Sequence, residues 1–215
     1  MSIAPEGRPF VLAGVLALVG LAVVGFWMGG WWLAPAIGWA PVAAWIPWFF
    51  RDPSRAGPRG EQLVLAPADG KVVSVVEVEE PEFLKGNATR VSVFMNVFNV
   101  HVNRHPVHGT VGYRNYRPGR FVNATLDKAS EDNEQMSLGI RSPRGPVLVR
   151  QIAGLVARRI VTDPQVGDPV HQGERLGLIR FGSRLDTFVP QGASIRVRQG
   201  DRTKAGVTVI AEWPS

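Results

Sequence analysis

The chain contains no cysteine, which excludes disulfides, thiolate catalysis and cysteine-ligated metals and says little about compartment. Charge is missing from one long block: between Arg8 and Arg51 there is no Asp, Glu, Lys or Arg. Helical periodicity is missing after Phe50, where the stretch from Asn123 to Met136 is the one weak candidate. A nucleic-acid signature is missing too. The net charge is +6 with 24 basic residues, yet there is no recognition helix and no run of Lys or Arg interleaved with aromatics. An anionic phospholipid membrane accounts for that charge more simply, because basic residues beside a bilayer gain free energy from acidic lipids. No nucleic-acid partner is expected.

The uncharged block is the first positive feature. A membrane span needs roughly 20 apolar residues, so the block is long enough for two passes. Gly29-Gly30 divides it into Phe10 to Met28 and Trp31 to Phe50. Pro35, Pro41 and Pro47 are expected to interrupt the second segment, as a kinked span or a shallow re-entrant one. A cleaved signal peptide is the rival for the first segment. Against it stand the single basic residue Arg8 before the apolar run and a second apolar segment after it. Arg8 on one side and Arg51, Arg55 and Arg59 on the other favour a hairpin with both ends in the cytoplasm. Trp27, Trp31, Trp32, Trp39, Trp45 and Trp48 suit the membrane interface. The expected organisation is a membrane-associated apolar hairpin and basic linker over 1–59, then a β-rich domain over 60–215 on the cytoplasmic side of the cell membrane.

From Glu61 onward, short valine-rich strands alternate with Gly and Pro punctuation. Lys71–Val78, Arg90–Phe94, Pro146–Val149, Leu155–Val161 and Ser194–Arg198 read as strands. The domain also repeats internally. Gly167-Asp168, four residues, Gly173, two residues and Leu176 align without gaps on Gly200-Asp201, Gly206 and Val209. Pro67-Ala68-Asp69-Gly70 aligns likewise on Pro106-Val107-His108-Gly109. Glycine supplies the positive φ of tight turns and Asp caps them. Paired turns of this kind resemble the flattened β-sandwiches of biotinyl and lipoyl carrier domains and their duplicated relatives. The expected fold is mostly β, a duplicated barrel-sandwich-hybrid-like domain preceded by an apolar helical hairpin.

Three further segments carry chemistry in combination. They are Ala66-Pro67-Ala68-Asp69-Gly70-Lys71, Asn99-Val100-His101-Val102-Asn103-Arg104, and Phe181-Gly182-Ser183 at the end of an apolar strand-like stretch. With the apolar hairpin and Phe49-Phe50-Arg51-Asp52-Pro53, their order resembles the short, membrane-associated branch of the phosphatidylserine decarboxylase proenzymes. The resemblance covers nearly the whole chain. It implies self-cleavage at Gly182-Ser183 into a long chain, 1–182, and a short chain, 183–215, which form a heterodimer. Ser183 becomes a pyruvoyl group, the cofactor, with no pyridoxal phosphate and no metal. Asp69 and His101 occupy the family's positions for the groups that assist the serine. The pyruvoyl carbonyl forms a Schiff base with phosphatidylserine, and His101 returns a proton after carbon dioxide leaves, giving phosphatidylethanolamine. The longer branch has a second His where this chain has Arg104.

Ordinary readings stand beside these. Asp69-Gly70 is also a common hairpin turn, and His101 in an alternating strand is also a half-buried strand residue, as His105 and His108 are expected to be. Arg184 and Asp186, just after the cleavage site, either pair with each other or contact the substrate headgroup, and Asn115, Arg117 and Arg120 are candidates for a lipid phosphate. Two other functions remain open from the residues alone. A zinc peptidase on a duplicated β-sandwich would draw ligands from His101, His105, His108 and His171, although no His-x-His pair is present. A membrane-anchored carrier or adaptor domain would need its modified lysine at a hairpin tip, and Lys71 lacks the apolar flanks.

Overall fold

The computed structural model describes residues 2–120, 133–154, 159–180 and 183–214. It comprises two compact units, Met1–Ser54 and Arg55–Ser215.

The first unit is the apolar hairpin. Strand β1 (Ser2–Ile3) leads into helix α1 (Arg8–Met28), and a turn at Gly29 and Gly30 leads to helix α2 (Ala34–Phe49) and strand β2 (Arg51–Asp52). Gly29 and Gly30 adopt φ of +68° and +59°, conformations that cost glycine little. With the turn that precedes it, α1 is the one described helix long and apolar enough to cross a bilayer. Its 21 residues rise about 32 Å at about 1.5 Å each. The 16 residues of α2 rise about 24 Å, and the 3₁₀ turn before them adds up to about 8 Å. The two arms are therefore of similar length. β1 pairs antiparallel with β2, Ile3 opposite Arg51 and Ser2 opposite Asp52, so both ends of the hairpin lie at one level. The prolines do not interrupt α2, which runs through Pro41 and Pro47. Close packing explains why. A Cβ on Gly14 would stand 2.9 Å from Ile46 Cδ1, and Trp39 Nε1 donates to the Gly14 carbonyl at 3.0 Å. These contacts hold the helix's course where prolines remove backbone bonds.

The second unit is built of strands. In order they are β3 (Leu63–Leu65), β4 (Gly70–Glu80), β5 (Gly86–Met95), β6 (Val102–Arg104), β7 (Gly109–Arg117), β8 (Gln135–Ser142) and β9 (Gly145–Ile152). There follow β10 (Ile160–Thr162), β11 (Pro169–Val170), β12 (Arg175–Ile179), β13 (Ser183–Pro190), β14 (Ser194–Ile195), β15 (Arg202–Thr203) and β16 (Val209–Glu212). Eight form one sheet in the order β11-β7-β8-β9-β13-β5-β4-β15, flanked by the three-stranded sheets β10-β12-β6 and β14-β16-β3. Alternation along the strands sends Val72, Val91, Val93, Val147, Val149 and Leu185 into one buried core. The chain is thus mostly β behind a helical hairpin. Of the weakly helical stretch, residues 123–132 lie outside the described residues, and Gln135 and Met136 open β8. Residues 155–158 also lie outside them. The strand expected over Ser194–Arg198 stops at Ile195.

The repeat is visible in the backbone. Gly167 and Gly200 have φ of +97° and +101°, and Gly173 and Gly206 have +81° and +69°. Asp168 Oδ2 accepts the N–H of Gln165 at 2.8 Å, and Asp201 Oδ2 accepts that of Arg198 at 2.9 Å. A Cβ on Gly70 would collide with the Phe94 carbonyl oxygen, and one on Gly109 with that of Arg141. β4 is irregular just after Val72 and β7 just after Val111. β15 lies on the start of β4, and β11 lies on the start of β7 in the same register.

Candidate active site

Ser183 is the first residue of β13, directly opposite Met95 on β5. Strand alternation puts Ser183, Leu185 and Val189 on one face and Arg184, Asp186 and Phe188 on the other. Leu185 and Val189 belong to the main apolar core, so Ser183 faces inward. It is fully buried, and its Oγ has no hydrogen-bond partner among the described residues. Burying a hydroxyl without a partner costs about 1–3 kcal/mol, and such sites ask for an explanation. Gly182, the other half of the expected cleavage site, lies outside the described residues.

His101 is also fully buried, in the connection between β5 and β6. Its Nδ1 lies 3.0 Å from the Asn99 carbonyl oxygen. A carbonyl only accepts, which assigns the ring proton to Nδ1 and leaves Nε2 as the basic nitrogen. The next residue, Val102, pairs with Leu178 of β12, the strand whose end leads towards Ser183.

Asp69 closes the turn before β4. Arg55 Nη2 donates to both of its carboxylate oxygens, at 2.9 and 2.7 Å, and the Ala205 N–H donates to Oδ1 at 2.8 Å. Gly70, the next residue, is seated against the Phe94 carbonyl. Phe94 precedes the residue opposite Ser183, and the β5–β6 connection continues to His101. The register therefore brings the Asp69 turn and Ser183 to Phe94 and Met95, and the chain that leaves Met95 carries His101 six residues on. Behind them runs a polar chain: Thr162 Oγ1 donates to Gln151 Oε1 at 2.5 Å, Gln151 Nε2 to Asn103 Oδ1 at 2.8 Å, and Asn103 Nδ2 to Met95 Sδ at 3.6 Å.

Arg184 and Asp186 pair with each other. Arg184 Nε and Nη2 reach the two Asp186 oxygens at 2.7 and 2.9 Å, with exposures of 1% and 0%. They lie on the face opposite to Ser183. Asn115, Arg117 and Arg120 are exposed. The remaining histidines are spread out. His171 is exposed, His108 is half-buried with Nε2 3.8 Å from Glu61, and His105 is buried. Burial lowers the His105 pKa to about 4, helped by nearby His171 and opposed by a hydrogen bond with the Arg175 backbone. Among the described residues no three His, Asp or Glu side chains come together as metal ligands. Arg55 and Arg59, expected beside the membrane as part of the basic linker, make contacts within the second unit: Arg55 on Asp69, and Arg59 Nη1 on the Gly206 carbonyl at 2.9 Å.

Reasoning from the sequence missed Arg55, Asn99 and the Met95–Asn103–Gln151–Thr162 chain. A backbone carbonyl leaves no mark in a sequence. The side-chain contacts join residues too distant along the chain for any local pattern to link.

The family model described as phosphatidylserine decarboxylase matches residues 42–211. Over 213 residues the chain is 50% identical to a phosphatidylserine decarboxylase proenzyme of Symbiobacterium thermophilum, covering 99% of this chain and 96% of that protein. Over 211 residues it is 47% identical to the proenzyme of that name from Azorhizobium caulinodans, covering 97% of this chain and 88% of that protein. Matches of this extent, over the span that contains Asp69, His101 and Ser183, place the chain in the phosphatidylserine decarboxylase family.

Proposed function

We propose that the chain is made as a proenzyme, cuts itself at Gly182-Ser183, and then decarboxylates phosphatidylserine to phosphatidylethanolamine at the membrane. The observation that carries this reading is Ser183 Oγ: a fully buried hydroxyl, without a hydrogen-bond partner among the described residues, at the first position of a central strand. Such an atom suits a nucleophile better than a structural group.

In the cleavage, Ser183 Oγ attacks the Gly182 carbonyl carbon and its proton passes to a base. The chain then runs through an ester in place of the amide. Removal of the Ser183 α-proton expels the Gly182 carboxylate, which becomes the end of the long chain. The dehydroalanine left on the short chain takes up water and releases ammonia, giving the pyruvoyl group. A serine hydroxyl is weak alone and needs a base held by a third group. Asp69 and His101 supply these roles: Arg55 and the Ala205 N–H orient Asp69, and the Asn99 carbonyl orients His101.

The pyruvoyl group supplies an electron-withdrawing carbonyl that condenses with the substrate amine and takes up the electrons released with carbon dioxide. The chain's own part is to position the lipid and move protons. His101 Nε2 holds the proton returned to the carbon that lost the carboxylate. The long and short chains remain one body because β13 is hydrogen-bonded to β5 on one side and β9 on the other. The hairpin anchors the protein in the cell membrane, both ends on the cytoplasmic side, with Trp27, Trp31 and Trp32 at its tip and Trp45 and Trp48 at its base.

The test is release of carbon dioxide from phosphatidylserine labelled at the serine carboxyl, with purified protein in vesicles. Release by the parent and none by Ser183→Ala supports the reading. No release by a folded, membrane-bound parent overturns it.

A further inference from the structure

Lys71 and Arg202 stand directly opposite each other where β4 pairs with β15. Like charges in that position repel and destabilise a strand pair. The duplication shows that the fold does not require them: the equivalent pair in the other half, Thr110 opposite Pro169, carries no charge. A local rule broken in one half alone marks a position set by function.

Both cations line a cavity of about 350 Å³, together with Gly70, Phe94, Asn96 and Asn99. Among the described residues no carboxylate lines it and no ion pair joins either cation. The two asparagines add donors. Asn99 Oδ1 accepts the Asn96 N–H at 2.9 Å, and Asn96 Oδ1 accepts the Phe98 N–H at 2.9 Å. With both oxygens turned onto their own backbone, the amide NH₂ groups are what these side chains have left to offer. Two cations and two amides around one cavity make an anion site. It adjoins the candidate active site on three sides, since Gly70 follows Asp69, the Asn99 carbonyl holds His101, and Phe94 precedes the residue opposite Ser183. Phe98, on the same turn, is 65% exposed, an apolar group where the acyl end of a lipid would leave.

The geometry points to a phosphodiester subsite: Lys71 and Arg202, with the amides of Asn96 and Asn99, bind the phosphate of the serine lipid and direct its serine towards Ser183. The inference rests on the decarboxylation proposed above and names how that site holds its substrate.

The experiment compares the parent with the double variant K71Q/R202Q and the charge-conserving K71R/R202K. Intact mass reads self-cleavage, and kinetics are measured on soluble dihexanoyl phosphatidylserine. The double variant is expected to cut fully, to keep kcat within about twofold, and to raise KM about tenfold or more, as loss of charge-assisted bonds to the ground state predicts. K71R/R202K is expected to stay near the parent. Competition separates the phosphate from the rest of the headgroup. Glycerophosphoserine is expected to compete about tenfold less well in the variant, and free serine equally well in both. The single variant R202Q carries the same test where the double variant does not cut. A fully cut variant with unchanged KM and unchanged glycerophosphoserine competition overturns the subsite and leaves the Ser183 reading standing. A parent that neither cuts nor decarboxylates overturns both.

Discussion

Arg55 reaches both carboxylate oxygens of Asp69 with the same nitrogen, Nη2, at 2.9 and 2.7 Å. The pair joins the linker after the hairpin to the turn before β4. Since one nitrogen makes both contacts, a lysine ammonium can take its place, unlike sites that need the guanidinium fork. Arg55→Ala is therefore expected to slow self-cleavage about tenfold or more, and Arg55→Lys to restore most of the rate. Following the uncut chain by mass over time checks this. Equal slowing by both variants would contradict it.

His101 hydrogen-bonds through Nδ1 to the Asn99 carbonyl, and in the proposed mechanism its Nε2 carries the transferred proton. Among molecules that do cut, His101→Ala is expected to lower decarboxylation about 10²- to 10⁴-fold per pyruvoyl group, the usual range for loss of a general acid. The measurement is the rate divided by titrated pyruvoyl. A rate per pyruvoyl equal to the parent's would restrict His101 to cleavage.

Much of this was legible in the sequence, and for definite reasons. Turn glycines and alternating valines dictated the strands, and the paired Gly-Asp motifs reappear as paired turns with matching φ. Asp69, His101 and Ser183 stood out because each sits in a short segment of recognisable type. The groups that hold them did not. Arg55 belongs to a basic run that reads as membrane-facing, and its carboxylate partner lies in another segment. The opposition of Lys71 and Arg202 exists only after β15 is laid on β4. The α2 prolines misled because their local cost is offset by packing against α1 around Gly14, which no local rule contains.

Burial holds His105 at about 4, against an ordinary 6.5. The folded protein therefore keeps this imidazole neutral at pH values where the unfolded chain protonates it. Between about pH 6.5 and 4 the unfolded state binds the extra proton, so stability is full above that window and falls as pH drops through it. The shift corresponds to roughly 3 kcal/mol. His171 and the Arg175 backbone act on the ring directly, and Asp163, Asp168, Glu174 and Arg175 line the same cavity. His105→Gln is expected to flatten the loss of melting temperature between pH 7 and 5. An equally steep loss would assign it to other groups.

Val19 lies midway along α1, 53% exposed on an apolar helix surface. An arginine at the centre of a span costs about 2.5–3.5 kcal/mol on insertion scales. Val19→Arg is expected to move a large share of the protein from the membrane pellet to the soluble fraction after carbonate washing, whereas Val76→Arg, on exposed β4, leaves the distribution unchanged. Equal pelleting of both variants would contradict insertion of the hairpin.

The central claim is that Ser183 is consumed to make the cofactor, and intact-mass spectrometry of the parent beside Ser183→Ala tests it most directly. The account predicts two chains from the parent, 1–182 and 183–215, the smaller beginning with pyruvoyl in place of serine, and one uncut chain from the variant. A folded parent that remains a single chain of full mass would contradict it.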